Sequence, residues 1–347
     1  MNTLTQLSQG DVLALICLLL MAAAMLAYVL LDGFDLGVGV LLRRADDVQK
    51  DTLISAIGPF WDANETWLVL GVGLLLVAFP KAHGAILGAL YLPVLLMLVG
   101  LMARGVAFEL RQKVEPRHKF WADRVFYMGS LLASLSQGYM VGRYVLGFEQ
   151  SWLAYGFALV IAPCLLATYV LLGASWLIIK TEGALQGRAI AWAQGALLAT
   201  GVGVLLISLA TPYASQRIFE KWFALPNFIA LAPIPLATAA LFGFAYVFLR
   251  RLKQDSLAAS DKGLHRWCWA PFVCAASIVV LAFLGLAFSV FPYLVIDQLT
   301  VFESAIAPGS LKLIVLGALV TLPIIVAYNL FAYRVFWGKA QPLNYHL

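Results

Sequence analysis

The chain has 347 residues, of which 63% are hydrophobic and only 12% are charged. Soluble domains carry a charged share of about 25%, so this composition excludes an ordinary soluble protein. The net charge of +5 comes from cations between apolar runs rather than from a basic stripe on a soluble fold, which argues against nucleic-acid binding. We therefore predict an all-α, polytopic transmembrane helical bundle.

Apolar runs of about 20 residues, the length that crosses a bilayer as a helix, recur along the chain with near-regular spacing. They predict nine helices in a single integral membrane domain over residues 1–347, with the longest non-helical segments near 211–227 and 292–309. The predicted spans are 12–32, 53–79, 84–107, 123–146, 153–180, 189–210, 228–250, 269–291 and 310–337.

The distribution of basic residues predicts how these spans are oriented. If the N-terminus lies outside, 18 of the 23 Lys and Arg residues fall in inner segments. Membrane proteins carry such an excess of cations on the cytoplasmic side, so we predict an N-out, C-in topology. The cations left outside are Lys81, Arg143, Arg217, Lys221 and Lys312.

Two acidic residues lie at the inner end of the first predicted span, in the motif LDGFDLGVG. Asp32 and Asp35 are three residues apart and share a helix face with Tyr28, which precedes them by one turn. The spacing of Gly33 and Gly37 lets another helix approach closely. Alternatively, the acids are interfacial residues near the cytoplasmic headgroups and the glycines end the helix. The pattern leaves both interpretations open.

A second acidic cluster, WDANETW, opens the second predicted span. Asp62 lies about nine residues past the expected start, which places it about 14 Å into the membrane at 1.5 Å per residue. Glu65 shares its helix face, Asn64 is close by, and Trp61 and Trp67 bracket the group. We interpret these residues as a proton-conducting or ion-binding site with polar and aromatic support. The alternative is a buried structural network.

Acids at bilayer depth usually face a partner or a water-lined path and carry protons or ions. Asp35, Asp32 and then Asp62 with Glu65 therefore predict a ladder from the cytoplasmic face toward the membrane centre. Pro59 removes a backbone hydrogen bond just before the second cluster and can free a carbonyl there. A proton-coupled secondary transporter fits broken helices and midplane acids equally well, and a purely structural subunit is a third possibility.

The histidines offer no ligand for a membrane-buried haem. His83, His118, His265 and His346 fall in loops, at span edges or in the tail, whereas a buried haem usually takes an imidazole from within a span. The sequence also contains no catalytic motif and no metal-ligand spacing. Any redox cofactor is therefore expected on another chain.

The two acidic motifs also carry a family likeness. DGFDLGVG at 32–39 and GPFWDANETWLVLGVG at 58–73 together resemble subunit II of the cytochrome bd-type quinol oxidases, including the cyanide-insensitive branch. The chain length and the FAYRVFWGK ending agree with this likeness. Ala63 and Thr66 stand where Gly and Val are expected, and both replacements are conservative in size.

The resemblance implies a multi-pass subunit of a terminal oxidase in the bacterial inner membrane, surrounded by lipid. Its partner, subunit I, is expected to bind two b-type haems and haem d, to oxidise quinol at the outer face and to reduce oxygen to water. A very small single-helix subunit joins some complexes of this kind, and some relatives hold a structural quinone in subunit II. The family's proton route matches Asp32, Asp35 and Asp62 here.

Overall fold

The computed structural model describes residues 8–257 and 266–340, and it is built of helices with one two-stranded hairpin. The helices are α1 (Gln9–Leu41), α2 (Asp47–Ile57), α3 (Trp61–Ala78), α4 (Pro80–Ala89), α5 (Tyr91–Lys113), α6 (Lys119–Val145), α7 (Trp152–Lys180), α8 (Gly183–Ala214), α9 (Gln216–Phe223), α10 (Asn227–Leu231), α11 (Pro233–Leu257), α12 (Ala270–Val290), α13 (Val301–Ser304) and α14 (Pro308–Val335). Short 3-10 turns lie at Leu42–Arg44 and Pro116–His118. Strands β1 (Tyr293–Val295) and β2 (Leu299–Thr300) pair antiparallel.

Within the described residues, seven helical segments are long and apolar enough to cross a membrane, and α2 with α3 forms an eighth candidate that is bent by 49°. This confirms an all-α membrane helical bundle. The predicted fourth span corresponds to α6, a helix of 27 residues that is less apolar than the others. Its polar residues Ser130, Ser134 and Gln137 are buried inside the protein, so they need not be compatible with lipid. The count of nine spans and the orientation stay predictions.

The contacts divide the chain into two compact units, which are described separately. The first contains the chain up to Leu31, Pro59–Tyr91 and Val290–Trp337. The second contains Asp32–Gly58, Leu92–Ser289 and the chain from Gly338 onward. A single membrane domain over the whole chain stays a prediction.

In the first unit, α3 packs against α1 at a point where α3 has no side chain. A Cβ on Gly71 would lie 2.5 Å from the sulfur of Met25, so the glycine leaves room for the Met25 side chain between the two helices. At the C-terminal end of α3, the N–H of Ile306 donates to the carbonyl oxygen of Ala78 at 3.1 Å. The segment before α14 is thereby attached to the end of α3.

The segment 292–309 was expected to be non-helical, but it forms the β1–β2 hairpin and α13. Helix α13 begins with a capping box, in which the hydroxyl and N–H of Thr300 donate to Glu303 at 2.7 and 2.9 Å. These bonds hold the pKa of the Glu303 carboxyl below its ordinary value. The hairpin agrees with a non-helical segment, and the prediction is wrong for α13, because a capped helix of one turn leaves no periodic apolar pattern.

The segment 211–227 was also expected to be non-helical, yet α8 extends into it and α9 and α10 follow. Helix α9 begins where the Ser215 hydroxyl accepts a hydrogen bond from the N–H of Ile218 at 3.4 Å. Its sequence QRIFEKWF alternates polar and apolar residues with helical spacing. The indole N–H of Trp222 donates to the Ser289 hydroxyl at 2.8 Å and ties this helix to the end of α12.

In the second unit, the end of α1 lies against α7 in backbone contact. A Cβ on Gly37 would overlap the carbonyl oxygen of Tyr169, and a Cβ on Gly173 would lie 2.5 Å from the backbone nitrogen of Val38. Gly33 lies against the ring of Tyr169 in the same crossing. The close helix approach that the glycine spacing indicated is therefore present, and α7 is the helix that makes it.

Gly173→Ala is expected to lower the free energy of unfolding by about 1–3 kcal/mol or more, because the new methyl group has no space against the backbone of α1. Gly156→Ala on the same helix is the matched control. No atom lies within 4 Å of a Cβ at position 156, so this change should be neutral or slightly stabilising. Thermal unfolding of the purified protein measures both, and equal stability of the two variants would contradict the crossing.

Candidate functional site

An ion pair between α1 and α5 lies in the interior of the second unit. Arg104 donates through Nη2 to Oδ1 of Asp32 at 2.6 Å, and the two side chains are 1% and 0% exposed. The other carboxylate oxygen, Oδ2, has no hydrogen-bond partner among the described residues. Two charges buried to this extent are tolerated only because each neutralises the other.

The crossing of α5 and α6 fixes the backbone at Arg104. A Cβ on Gly100 would lie 2.7 Å from the carbonyl oxygen of Gly129, and one on Gly129 would lie 2.9 Å from the backbone nitrogen of Arg104. The two glycines therefore fix the backbone position from which the Arg104 side chain extends. The sequence contained one signal for it, a lone basic residue inside an otherwise apolar predicted span, but no signal for its partner.

The acids of the first motif are both buried. Asp35 lies one turn beyond Asp32 on α1 and is 0% exposed. Next to them, the ring of Tyr169 covers Gly33, and the Tyr169 hydroxyl donates to Gln137 at 2.7 Å. This burial argues against the alternative in which the two acids are interfacial residues exposed to headgroups.

The second motif lies at the bend between α2 and α3, in the first unit. Pro59 has no N–H, so the hydrogen-bond ladder of a helix cannot continue through it. Phe60 stacks on Tyr333 of α14 with ring centroids 4.4 Å apart. The buried amide of Asn64 accepts a hydrogen bond from the Tyr333 hydroxyl at 3.1 Å and donates to the carbonyl oxygen of Leu31 at 3.4 Å. Asn64 thus joins α1, α3 and α14.

Asp62, which was expected about 14 Å into the membrane, is exposed at the surface of the chain, and its depth in the membrane stays a prediction. No described residue forms a hydrogen bond or ion pair with its side chain. The reason is helix phase: Asp62 is two residues, about 200° of rotation, from Asn64, which occupies the buried side. Glu65 and Trp61 are half-buried. Asp62 also lies in the first turn of α3, where the helix dipole and unpaired N–H groups favour an anion.

The aromatic residues that were expected to support the acids have a packing role. Tyr28 and Trp67 are 2% and 7% exposed and form one buried cluster with Ala24. Leu322 and Ile325 of α14 pack against this cluster. The structure therefore brings Tyr28 and Trp67 together, as parts of the contact between α1, α3 and α14.

A second group of buried charges was missed in the sequence. Arg111, 2% exposed, donates to Asp123 at 2.5 Å and to Asp51 at 2.6 Å. Lys50 lies 3.4 Å from Asp123 and 2.8 Å from Asp47, whose side chain is 96% exposed. This network runs from solvent to the interior of the second unit. Its members come from α2, α5 and α6, so sequence spacing does not reveal it.

The predicted acid ladder joins residues of both units. Asp32 and Asp35 belong to the second unit, whereas Asp62 and Glu65 belong to the first. The contacts of each cluster are defined within its own unit. The ladder between the two clusters stays a prediction.

The donor set of the described residues does not fit a membrane-buried haem or a metal. His83 lies in the short helix α4 and His118 in a 3-10 turn, both outside the candidate spans. No group of three or more His, Cys, Asp or Glu residues in the described ranges is arranged to hold a metal ion. The charged groups described here are carboxylates and the cations paired with them.

Comparisons with known proteins identify the family of the chain. The sequence model of the family described as "Cytochrome bd terminal oxidase subunit II" matches residues 13–336. The chain is 29% identical to "Cytochrome bd ubiquinol oxidase subunit 2" of Bacillus subtilis, over 94% of this chain and 97% of that protein. It is 26% identical to "Cytochrome bd-I ubiquinol oxidase subunit 2" of Escherichia coli, over 95% of each.

A solved structure shares the fold. The bd oxidase from Geobacillus thermodenitrificans contains a chain that superposes with a TM-score of 0.76, covering 94% of this chain and 98% of that one. Sequence identity between the two is 17%, so the likeness concerns architecture.

Arg104→Gln is expected to cost about 3–5 kcal/mol of stability, because it leaves the buried Asp32 carboxylate without its cation. The double variant Asp32→Asn/Arg104→Gln should be more stable than Arg104→Gln alone, since neither member then carries a charge. Arg117→Gln, at a site where the side chain is 74% exposed, should change stability little. Melting temperatures and yields of folded protein test this. A double variant as unstable as the summed single variants would contradict it.

Proposed function

Because the chain belongs to the cytochrome bd terminal oxidase subunit II family, we propose that it is the second subunit of a membrane complex that oxidises quinol and reduces oxygen to water. The observation that carries this proposal is the family match over residues 13–336, which includes both acidic motifs. The haem-binding subunit I is the expected partner, with two b-type haems and haem d. The described histidines of this chain, which lie outside its candidate spans, support that division of labour.

The proposal includes nine membrane spans with the N-terminus outside, in the inner membrane of a bacterium. Helix α6 supplies the ninth span: its 27 residues extend about 40 Å at 1.5 Å per residue, enough to cross a bilayer. The same proposal includes a structural quinone and a very small single-helix subunit. It also includes bound quinol and surrounding lipid.

We further propose that this subunit supplies protons from the cytoplasm to the oxygen chemistry of its partner. Asp35, Asp62 and Glu65 are the candidate carriers. The exposure of Asp62 supports this role, because its side chain lies at the surface of a helix pair that is a candidate membrane span. A carboxylate facing hydrocarbon is costly, so the surface that carries Asp62 should be covered by the partner subunit or by water.

Asp32 has a different part in this proposal. Its bond to Arg104 is buried, and protonating the carboxylate would leave a buried guanidinium without its counter-charge. We therefore assign Asp32 the role of a fixed charge beside the path rather than of a carrier. Asp35, one turn away and also buried, is the candidate carrier on α1.

Proton supply from inside explains how such a complex conserves energy. Quinol oxidation releases protons on the outer side, and oxygen reduction consumes protons taken from the inner side. The haems expected on the partner would carry the electrons, and the acids of this chain would move protons only. Each turnover would thus transfer positive charge outward without a pump.

The purified complex that contains this chain should show the visible absorption bands of b- and d-type haems. Co-purification of the bands with a tagged chain through two chromatographic steps is the measurement. A proton-coupled transporter, the rival function from another class, would purify without haem. A tagged chain that folds and purifies without haem bands would contradict the oxidase assignment.

Asp62→Asn should lower oxygen-coupled proton uptake and quinol oxidation by about tenfold or more, because the amide does not carry a proton at this step. Haem content and assembly should stay at wild-type levels. Glu220→Gln is the matched control, because Glu220 is an exposed acid of α9, outside the proposed path. Normal turnover in an assembled Asp62→Asn complex would make Asp62 a structural residue.

A further inference from the structure

A groove of about 460 Å³ opens in the second unit between the 3-10 turn after α1 and the first turns of α6. We call it the Arg43–Arg124 groove. Its lining combines cationic side chains with the aromatic and apolar side chains of Phe120, Tyr127 and Met128. The proton path proposed above does not use it.

The two arginines of the groove are available to a ligand. Both are exposed, and no carboxylate among the described residues lies within ion-pair distance of either. Their close neighbours are rings: the Arg43 guanidinium lies 5.5 Å from the centroid of Tyr127, and that of Arg124 lies 4.4 Å from Phe120. Stacking on a ring orients a guanidinium and leaves its N–H donors free to bind an anion.

The one acid that lines the groove does not cancel this positive charge. Asp123 accepts from Arg111 at 2.5 Å and lies 3.4 Å from Lys50, so two cations already neutralise it. The groove therefore keeps the charge of its two arginines. An anion is the complementary ligand.

The position of the groove favours a lipid over a soluble anion. The candidate span that contains α1 ends at Arg44, so Arg43 lies at the boundary between membrane and water. Met128 lines the groove and is 57% exposed, and Val125, three residues before it on α6, is an exposed apolar side chain at 42%. Cations at the boundary next to exposed apolar side chains are typical of sites for anionic lipid headgroups.

We propose that the Arg43–Arg124 groove binds an anionic phospholipid. The phosphate lies between the guanidinium groups of Arg43 and Arg124, and an acyl chain lies along Val125 and Met128. The two charges distinguish this ligand from zwitterionic lipids, and the apolar continuation distinguishes it from free phosphate. This inference does not depend on the oxidase function or on the proton path.

The test is lipid binding to the intact complex in detergent, followed by native mass spectrometry. The delipidated complex is titrated with phosphatidylglycerol, with phosphatidylethanolamine of the same acyl chains, and with inorganic phosphate as competitor. Wild-type complex should bind phosphatidylglycerol at least tenfold more tightly than Arg43→Gln/Arg124→Gln. Arg43→Lys/Arg124→Lys should recover part of the affinity because it keeps both charges.

The matched control is Arg44→Gln/Arg117→Gln, which removes two exposed cations that do not line the groove. It should bind phosphatidylglycerol like the wild type. If the double glutamine variant does not assemble, Arg124→Gln alone carries the same test, since it alters one exposed side chain.

Three outcomes overturn the proposal. The first is unchanged phosphatidylglycerol affinity in the groove variant, and the second is an equal loss in the control variant, which would indicate diffuse surface charge. The third is equal binding of phosphatidylethanolamine, or full displacement by millimolar phosphate, which would indicate a different ligand.

Discussion

The buried ion pair between Asp32 and Arg104 is the interaction on which the arrangement of the second unit depends. Removing two charges from water costs several kcal/mol for each ion, and a bond of 2.6 Å between them offsets this cost only if both backbones are held in place. Two glycine crossings do so, Gly37 against α7 and Gly100 against α6. The glycine contacts therefore hold in place the helices that carry the two buried charges.

The side chains of the two acidic motifs have different surroundings because helix phase places them differently. In the first motif, both acids are buried in the protein, and Asp32 forms an ion pair with Arg104. In the second motif, Asn64 takes the buried position and links three helices through Tyr333 and Leu31. Asp62 is thereby turned to the surface. A carboxylate facing hydrocarbon is costly, so we expect this surface to meet water or the partner subunit.

Several features could be predicted from neighbouring residues alone. The break at Pro59 follows from its missing N–H, and the helix approach at Gly37 follows from glycine spacing. The short helices in 211–227 and 292–309 were missed because their stability comes from caps and from contacts such as Trp222 with Ser289. The exposure of Asp62 at the surface of the chain could not be predicted, since hydropathy around a residue does not specify which way its side chain points, and its depth in the membrane stays a prediction.

By itself, the sequence determined the class of protein, the positions of most long helices, the two acidic motifs and the family. These depend on composition and on spacing within one helix, which are local properties. Only the tertiary structure decided that Arg104 pairs with Asp32, 72 residues away in the chain, and that Arg111 joins two aspartates from other helices. Such partners are selected by how helices cross in space, and the energy of a buried charge depends on that crossing rather than on its neighbours in sequence.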